Sequence, residues 1–262
     1  MNENLNILIT NDDGIHAPGI KYLWESAKDF GEIFIVAPSE EKSGSGMGMT
    51  LTSPLRTKAI KWDDNTKAWS VTGTPADCVK LGCSVLLKNI PDLIVSGINR
   101  GTNAGRNVLY SGTIGGVIEG CFRGIPGIAF SYDDFSNPEY EKCIPYIQLI
   151  IKFFLNVKMP KGTIINVNFP KGEIKGIKLA HQGKGYWIEE LDERFHPVIQ
   201  TYYWMGGKPL SFEESDESDI ALLKKGYVAV VPLHVDNMTD HNFFKDHQET
   251  FLKAFTSVTD LV

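Results

Sequence analysis

The sequence predicts an α/β protein: a mostly parallel sheet flanked by helices, with a C-terminal antiparallel β extension and a terminal helix. Three observations carry this. Short apolar, β-branched runs alternate with helical periods through about the first 170 residues, the pattern of strands buried on both faces. Those runs break off into turn-forming residues, as strands feeding loops do. From 174 to 215 the texture turns strand-like and aromatic, with few helical periods.

Taken in order, residues 5–10 (LNILIT) read as a buried strand and 19–30 as a helix with Ile20, Leu23, Trp24 and Ala27 on one face. Residues 32–37 (EIFIVA) form a second buried strand ended by Pro38, and 39–50 are a Gly, Ser and Met loop. Segments 51–61 and 67–72 read as a hairpin or a pair of edge strands around Asp63-Asp64-Asn65. A helix over 75–88 starts at Pro75, which tolerates a first turn because its missing N–H has no helical partner anyway. Then follow a strand at 92–96, a glycine-rich loop at 97–112, a helix at 113–123, a strand at 126–131, a helix at 138–156 and a strand at 162–168. After the extension come a short helix at 218–225, a strand at 226–233 and a helix at 241–255. The organisation expected is a catalytic core over 1–170 and a β-rich segment over 171–262 that returns to the core.

Composition narrows the function. A length of 262 residues, 42% hydrophobic and 22% charged, suits an ordinary globular protein with a full core. The net charge of −6 comes without a basic stripe, which argues against binding a nucleic-acid polymer. An anionic substrate would need a local positive feature, such as a cation or a helix N-terminus. There is no basic, apolar leader and no apolar run long enough to span a bilayer. Cys78, Cys83, Cys121 and Cys143 lack CxxC pairing and finger-spaced histidines. They read as reduced thiols in a cytoplasmic protein, not as a zinc site.

Four segments carry chemistry. Thr10-Asn11-Asp12-Asp13-Gly14 follows the first strand. Adjacent carboxylates repel unless something neutralises them, and a hard divalent cation takes carboxylate, amide and hydroxyl oxygens; a plain turn is the other reading. The loop Ser39–Gly48 offers hydroxyls and backbone N–H groups, Ser43 among them; alone it fits a connector equally. The stretch 96–107 (SGINRGTNAGRN) places three asparagines among glycines, suited to wrapping an anion or a metal. Tyr110-Ser111-Gly112-Thr113 stands where a loop becomes a helix, a place of free N–H groups that bind phosphate or merely need a cap. In a doubly wound sheet these strand ends share one edge, so the loops can meet in one crevice.

At these residues the chain resembles the SurE family, the stationary-phase survival protein nucleotidases. The matching stretches are ILITNDDGIHAPGI, VAPSEEKSGSG, VTGTPADCVKLG, PDLIVSGINRGTNAGRNVLYSGTIGGVIEG and, more loosely, VVPLHVDNMTDH. The resemblance implies a Rossmann-like sheet, a C-terminal oligomerisation arm giving a homodimer or homotetramer, and a 5′/3′-nucleotidase using one divalent cation (Mg²⁺, Mn²⁺ or Ca²⁺) per subunit. By position, Asp12, Asp13, Ser43 and Asn99 would hold the metal, and Asn103, Ser111, Gly112 and Thr113 the phosphate, with Asn99 close by. Two positions depart from the pattern. Asn107 stands where an acidic residue is frequent, and Gly115-Gly116 replaces a more usual Gly-Ala, at about 1 kcal/mol of helix propensity.

The expected chemistry is hydrolysis of a nucleoside monophosphate to nucleoside and phosphate, with one aspartate orienting or deprotonating water. Asn103, Ser111 and Thr113 would stabilise the developing phosphoryl charge. The turn Thr72–Cys78 either lines the nucleoside side or starts a helix. His16 has a minor claim to protonating the leaving group, and His234, Asp236 and Asp240 read as holding the arm. The aromatic group Tyr186, Trp187, Phe195, Tyr202, Tyr203 and Trp204 reads as an oligomer interface before a base-stacking surface, and Glu213–Glu217 as a solvated loop. A covalent phospho-aspartate route would want an acidic residue at Gly14. A non-catalytic nucleotide or metal sensor in the same crevice is the rival of a different class.

Overall fold

The computed structural model describes residues 5–198, 200–210 and 212–255. Strands β1 (Asn6–Thr10), β2 (Glu32–Pro38), β3 (Thr57–Ile60), β4 (Lys67–Val71), β5 (Leu93–Arg100), β6 (Gly127–Tyr132), β7 (Thr163–Phe169), β8 (Ile177–Leu179) and β11 (Val228–His234) form one sheet. Its order is β3-β4-β2-β1-β5-β6-β7-β11-β8. The run from β4 to β7 is parallel throughout. β3 at one edge and β11 beyond β7 pair antiparallel. A separate antiparallel hairpin, β9 (Tyr186–His196) and β10 (Gln200–Leu210), leaves this body.

The central parallel strands are mainly apolar because both faces are covered. In β1, Ile7 and Ile9 point to one layer and Leu8 to the other, as a period of two requires. The first layer is helix α1 (Pro18–Ala27) and α4 (Ile144–Leu155), which bring Ile20, Leu23, Trp24, Ile147 and Ile151 against Ile35, Val95 and Phe130. The second is α2 (Pro75–Leu81) and α3 (Gly112–Cys121), packing Val79, Ile114 and Val117 on Val36, Ile94 and Ala129. Helices α5 (Asp219–Lys224) and α6 (His241–Phe255) complete the chain.

Several elements differ from the sequence reading. β5 runs on through Asn99 to Arg100 into the expected loop, with a register irregularity after Ser96. The helix at 75–88 becomes a π-helical turn at Gly82, where a Cβ would stand 3.1 Å from the Leu8 side chain. The 138–156 helix starts as a 3₁₀ turn over Tyr140–Cys143. Part of the extension does not leave the main sheet, since β8 pairs parallel with β11. Only the hairpin does.

From β1 the chain passes through α1 to β2 on one side; after β4 it returns to β5 on the other. That reversal opens a crevice between the carboxyl ends of β1 and β5, the position where open α/β sheets bind ligands.

Candidate active site

The acidic pair sits at the end of β1. Asn11 donates through its side-chain amide to the Gly14 carbonyl, 2.8 Å, closing a tight turn. Gly14 takes φ 96°, and a Cβ there would lie 3.3 Å from the Glu40 carbonyl carbon. This is the left-handed conformation that glycine adopts without strain, so the loop after β2 packs directly on the turn. The Lys42 N–H donates to the Asp12 carbonyl, 2.7 Å, and the Ile15 N–H to the Pro38 carbonyl, 2.8 Å. These bonds bring the loop after β2 back to the acidic pair; in that loop the Ser43 hydroxyl donates to Glu41, 2.8 Å, and its oxygen lone pairs stay open.

The end of β5 closes the other side. The Arg100 N–H donates to Asp13 Oδ2, 3.1 Å. The neighbouring Asn99 donates its amide to the Gly101 carbonyl, 2.8 Å, so its side-chain oxygen is the atom left to ligate. The Arg100 guanidinium lies over the Phe135 ring, 4.4 Å from its centroid, and 3.9 Å from Glu41. A charge pair thus links the β2 and β5 loops at the mouth.

Helix α3 presents its N-terminus to Asp12. Ser111 is the N-cap, its hydroxyl accepting from the Ile114 N–H at 3.2 Å. The Thr113 hydroxyl donates to Asp12 Oδ1. A Cβ on Gly112 would come within 2.8 Å of the Asp12 Cβ and 2.6 Å of the Ser45 hydroxyl, so only glycine allows this approach. Ser111 therefore serves as the cap that the plainer sequence reading foresaw. The Thr113 hydroxyl is directed at the acidic pair, where the sequence reading aimed it at a phosphate.

The electrostatics describe a site built for positive charge. Burial pushes the Asp12 carboxyl up from its ordinary range, opposed by the Thr113 hydroxyl and the backbone N–H groups of Thr113 and Gly112. Asp13 is pushed up to about 7 by burial and by the Asp12 charge, with Arg100 pulling the other way. Two adjacent carboxylates that both resist ionisation are in the state a cation relieves. Buried Asn11 Oδ1 and Ser45 Oγ have no hydrogen-bond partner among the described residues, an arrangement that a native fold keeps only with a reason. Carboxylate, hydroxyl and amide oxygens are the donors hard divalent cations take, so these residues fit such an ion. Among the described residues no group of three or more His, Cys, Asp or Glu could hold a metal. The acidic donors at this site are the two carboxylates of Asp12 and Asp13.

Asn103 is held by residues the sequence reading missed. Its N–H donates to Asn168 Oδ1, 2.8 Å, and its carbonyl accepts from the Asn166 amide, 3.0 Å. Its own amide donates to the Ser131 hydroxyl, 2.8 Å. Asn166 and Asn168 alternate within β7, both almost fully buried. Two amides at a period of two in an otherwise apolar strand were the signal. Asp219 is also fully buried; it accepts from the Gly105 N–H, 2.9 Å, and the Gly183 N–H, 2.8 Å. This carboxylate ties the β5 loop to the foot of the hairpin.

The remaining candidates resolve as follows. Thr74 starts α2 in a capping box with Asp77, which also accepts from the Thr50 hydroxyl, 2.6 Å. The Thr72–Cys78 turn is thus a helix start that anchors the Ser–Gly loop, and Cys78 packs inward. His16 and His234 are exposed. Asp240 accepts from the Phe243 N–H, 2.9 Å, at the start of α6. Glu214 is not merely solvated, because it accepts from the Lys184 and Gly185 N–H groups at 2.9 and 3.0 Å.

Comparison with known proteins agrees with this architecture. Residues 7–189 match the family model described as survival protein SurE. The chain is 51% identical over 241 residues to the 5′-nucleotidase SurE of Protochlamydia amoebophila, covering 90% of this chain and 92% of that one. It is 44% identical over 246 residues to the 5′-nucleotidase SurE of Christiangramia forsetii, covering 92% and 94%. The crystal structure of the SurE protein from Aquifex aeolicus superposes with a TM-score of 0.80 at 38% identity, covering 94% of this chain and 99% of that one. An acidic pair on β1 facing α3, on a sheet shared with these proteins, carries one conclusion: the chain belongs to the SurE family.

Proposed function

We propose that this chain is a divalent-metal-dependent phosphatase that hydrolyses nucleoside 5′-monophosphates, and 3′-monophosphates in the same crevice. The observation that carries it is the pair of charge-resisting aspartates at the β1 end, Asp12 buried and Asp13 half-buried, met by the Ser43 and Asn99 loops and the α3 N-terminus. The relatives named 5′-nucleotidase SurE support the same reading. Asp12, Asp13, Ser43 and Asn99 would hold one Mg²⁺, Mn²⁺ or Ca²⁺. Bound there, that ion supplies a polarised phosphoryl oxygen and a water of lowered pKa.

The protein groups divide the remaining work. Asp12 is committed to Thr113 and fixes the site to α3. Asp13, the less buried of the two, orients the attacking water and takes its proton. Ser111, the Gly112 and Thr113 N–H groups and Asn103 stabilise charge on the phosphoryl oxygens, the helix terminus adding its dipole. The nucleoside leaves as an alcohol.

Two further readings belong with this one. Cys78, Cys83, Cys121 and Cys143 are all free, which supports a reducing, cytoplasmic setting; no described helix is long and apolar enough to cross a membrane. The outer hairpin exposes Leu191, Phe195, Tyr203 and Trp204, and α6 exposes Phe243 and Phe244. Apolar surface of this kind supports a homodimer or homotetramer.

The test is phosphate release from AMP with Mg²⁺ or Mn²⁺, with and without EDTA, in the wild type, Asp12→Asn and Asp13→Asn. We expect metal-dependent release that both substitutions nearly abolish while the fold is retained. Nucleotide binding without release would instead favour the sensor.

A further inference from the structure

A cavity of about 240 Å³ opens between the β5 loop and the foot of the hairpin. Whole-ligand pockets run to about 300–1,000 Å³, so this one suits a part of a substrate. Thr102 and Ala104, the residues on either side of Asn103, line it. Asp133, two residues beyond Ser131, lines it as well. The cavity therefore has as part of its wall the sequence neighbours of the Asn103–Ser131 contact, at the ends of β5 and β6.

Its walls combine aromatic, aliphatic and polar side chains. Tyr186, Trp187 and Phe212 face it, and the Tyr186 and Phe212 rings stack at 5.9 Å with 26° between planes. The Arg106 guanidinium lies 5.9 and 5.6 Å from those two centroids. Polar side chains interrupt this surface, Thr102, Asn107, Asp133, Glu214 and Lys224, and Glu214 is already taken up by the Lys184 and Gly185 N–H groups. Asn107 accepts from the Trp187 N–H through Oδ1 at 3.1 Å, so its amide N–H groups remain to donate. The Asp133 carboxylate accepts no hydrogen bond among the described residues, and burial pushes it up to about 6. Stacking faces beside the Asn107 amide donor and the Asp133 carboxylate acceptor match a planar heterocycle that carries an amino group.

Resting on the nucleotidase reading above, we propose that this cavity is the nucleobase subsite: Trp187 and Tyr186 stack the base of the leaving nucleoside, and Asp133 and Asn107 hydrogen-bond its edge. The aromatic residues of the hairpin thereby divide. Those at its foot serve the substrate, and those at its tip, Phe195, Tyr203 and Trp204, stand out in solvent. The clasp of Asp219 on Gly105 and Gly183 holds the two walls together. Gly105 meets Gly185 so closely that a Cβ would stand 2.3 Å from the Gly185 carbonyl oxygen.

The experiment compares AMP with ribose 5-phosphate, which has the same phosphate and sugar but no base. The ratio of their kcat/KM values should favour AMP by at least tenfold in the wild type. It should fall about tenfold, equivalent to about 1.4 kcal/mol, in Trp187→Ala, and recover in Trp187→Phe, which keeps a stacking face. A ratio near one in the wild type, or one unmoved by Trp187→Ala, overturns the subsite while leaving the phosphatase reading intact. Adenosine binding followed by calorimetry needs no turnover. Wild type should bind adenosine several-fold more tightly than Trp187→Ala or Asp133→Asn. Equal binding by all three overturns the proposal even if neither ester is hydrolysed, the outcome that would sink the nucleotidase reading instead.

Discussion

The Thr113 hydroxyl donates to Asp12 Oδ1 across 101 residues of sequence, joining the first turn of α3 to the end of β1. A hydrogen bond to a carboxylate favours its charged form, and this one opposes the burial that pushes Asp12 up. Thr113→Val removes the donor and keeps the shape. Losing a charge-assisted bond is worth about 1.5–3 kcal/mol, so kcat should fall on the order of tenfold to a hundredfold. The acid limb of the pH–rate profile should move to higher pH, because Asp12 then protonates more readily. Thr113→Ser should recover most of the loss. A valine variant with wild-type kcat and an unmoved acid limb would detach Thr113 from the chemistry.

Gly116 tests a conflict between helix propensity and packing. An alanine there gains about 1 kcal/mol of helix stability. Its Cβ, however, would stand 2.8 Å from Thr10 Cγ2 and 3.4 Å from the Pro75 Cβ. Thr10 is fully buried at the end of β1, where a branched side chain has no room to retreat, and overpacking costs about 1–3 kcal/mol. Packing should win: Gly116→Ala is expected to lower Tm by a few degrees. Adding Thr10→Ser, which deletes the offending methyl, should return part of that stability. A stabilised Gly116→Ala single variant would show that the β1–α3 contact yields.

The parts of this molecule legible in its sequence are those set by local pattern. β1 and β2 are nearly continuous apolar runs, and β6 and β7 mainly apolar ones, because both faces are covered, and a residue string shows that directly. The aspartate pair, the Ser–Gly loop and Ser111-Gly112 were legible because each stands at a strand or helix end, where the fold class alone predicts convergence. The supports of Asn103 were legible only as two amides in β7, without the partner they hold. Asn166 and Asn168 reach it from more than 60 residues away, and Asp219 reaches Gly105 from 114 away. No local period encodes such pairings. Gly105 against Gly185 is equally silent, since a close approach of two backbones leaves only two unremarkable glycines. The role assigned to the Thr113 hydroxyl differed because a helix start advertises anion binding without saying that a carboxylate of the same chain is beside it.

Asn168 yields a prediction that separates positioning from binding. Its Oδ1 accepts from the Thr102 hydroxyl, 3.0 Å, and the Asn103 N–H, and its amide donates to Asn166, 3.1 Å. Removing the side chain strands buried donors at about 1–3 kcal/mol. Asn168→Ala should therefore lose about that much stability in urea unfolding. Its kcat should drop at least tenfold with a smaller change in KM, because Asn103 would be displaced from charge that develops only in the transition state. A variant that loses stability but keeps kcat would make the network structural only.

The acidic pair also sets a pH dependence of stability in EDTA-treated protein. The folded-state Asp13 titrates near 7 and Asp133 near 6, against an ordinary 3.8. Between these values the folded chain binds protons that the unfolded chain has already released, so stability falls as pH rises. The contribution is complete below about 3.8 and is lost as pH climbs through 6 and then 7. The carboxylates held low by lysines, Glu40, Asp134 and Asp216, act in the opposite sense, but only at more acidic pH. Lowering pH from 8 to 5.5 should thus raise Tm, at about 2–4 °C for each kcal/mol in a domain of 150–250 residues. Mn²⁺ should reverse the trend, because it binds the deprotonated pair and stabilises most at pH 8. Melting curves at four pH values, with Mn²⁺ and with EDTA, measure both slopes. A Tm that falls steadily from pH 8 to 5.5 without metal would mean that Asp13 ionises as freely as a surface aspartate.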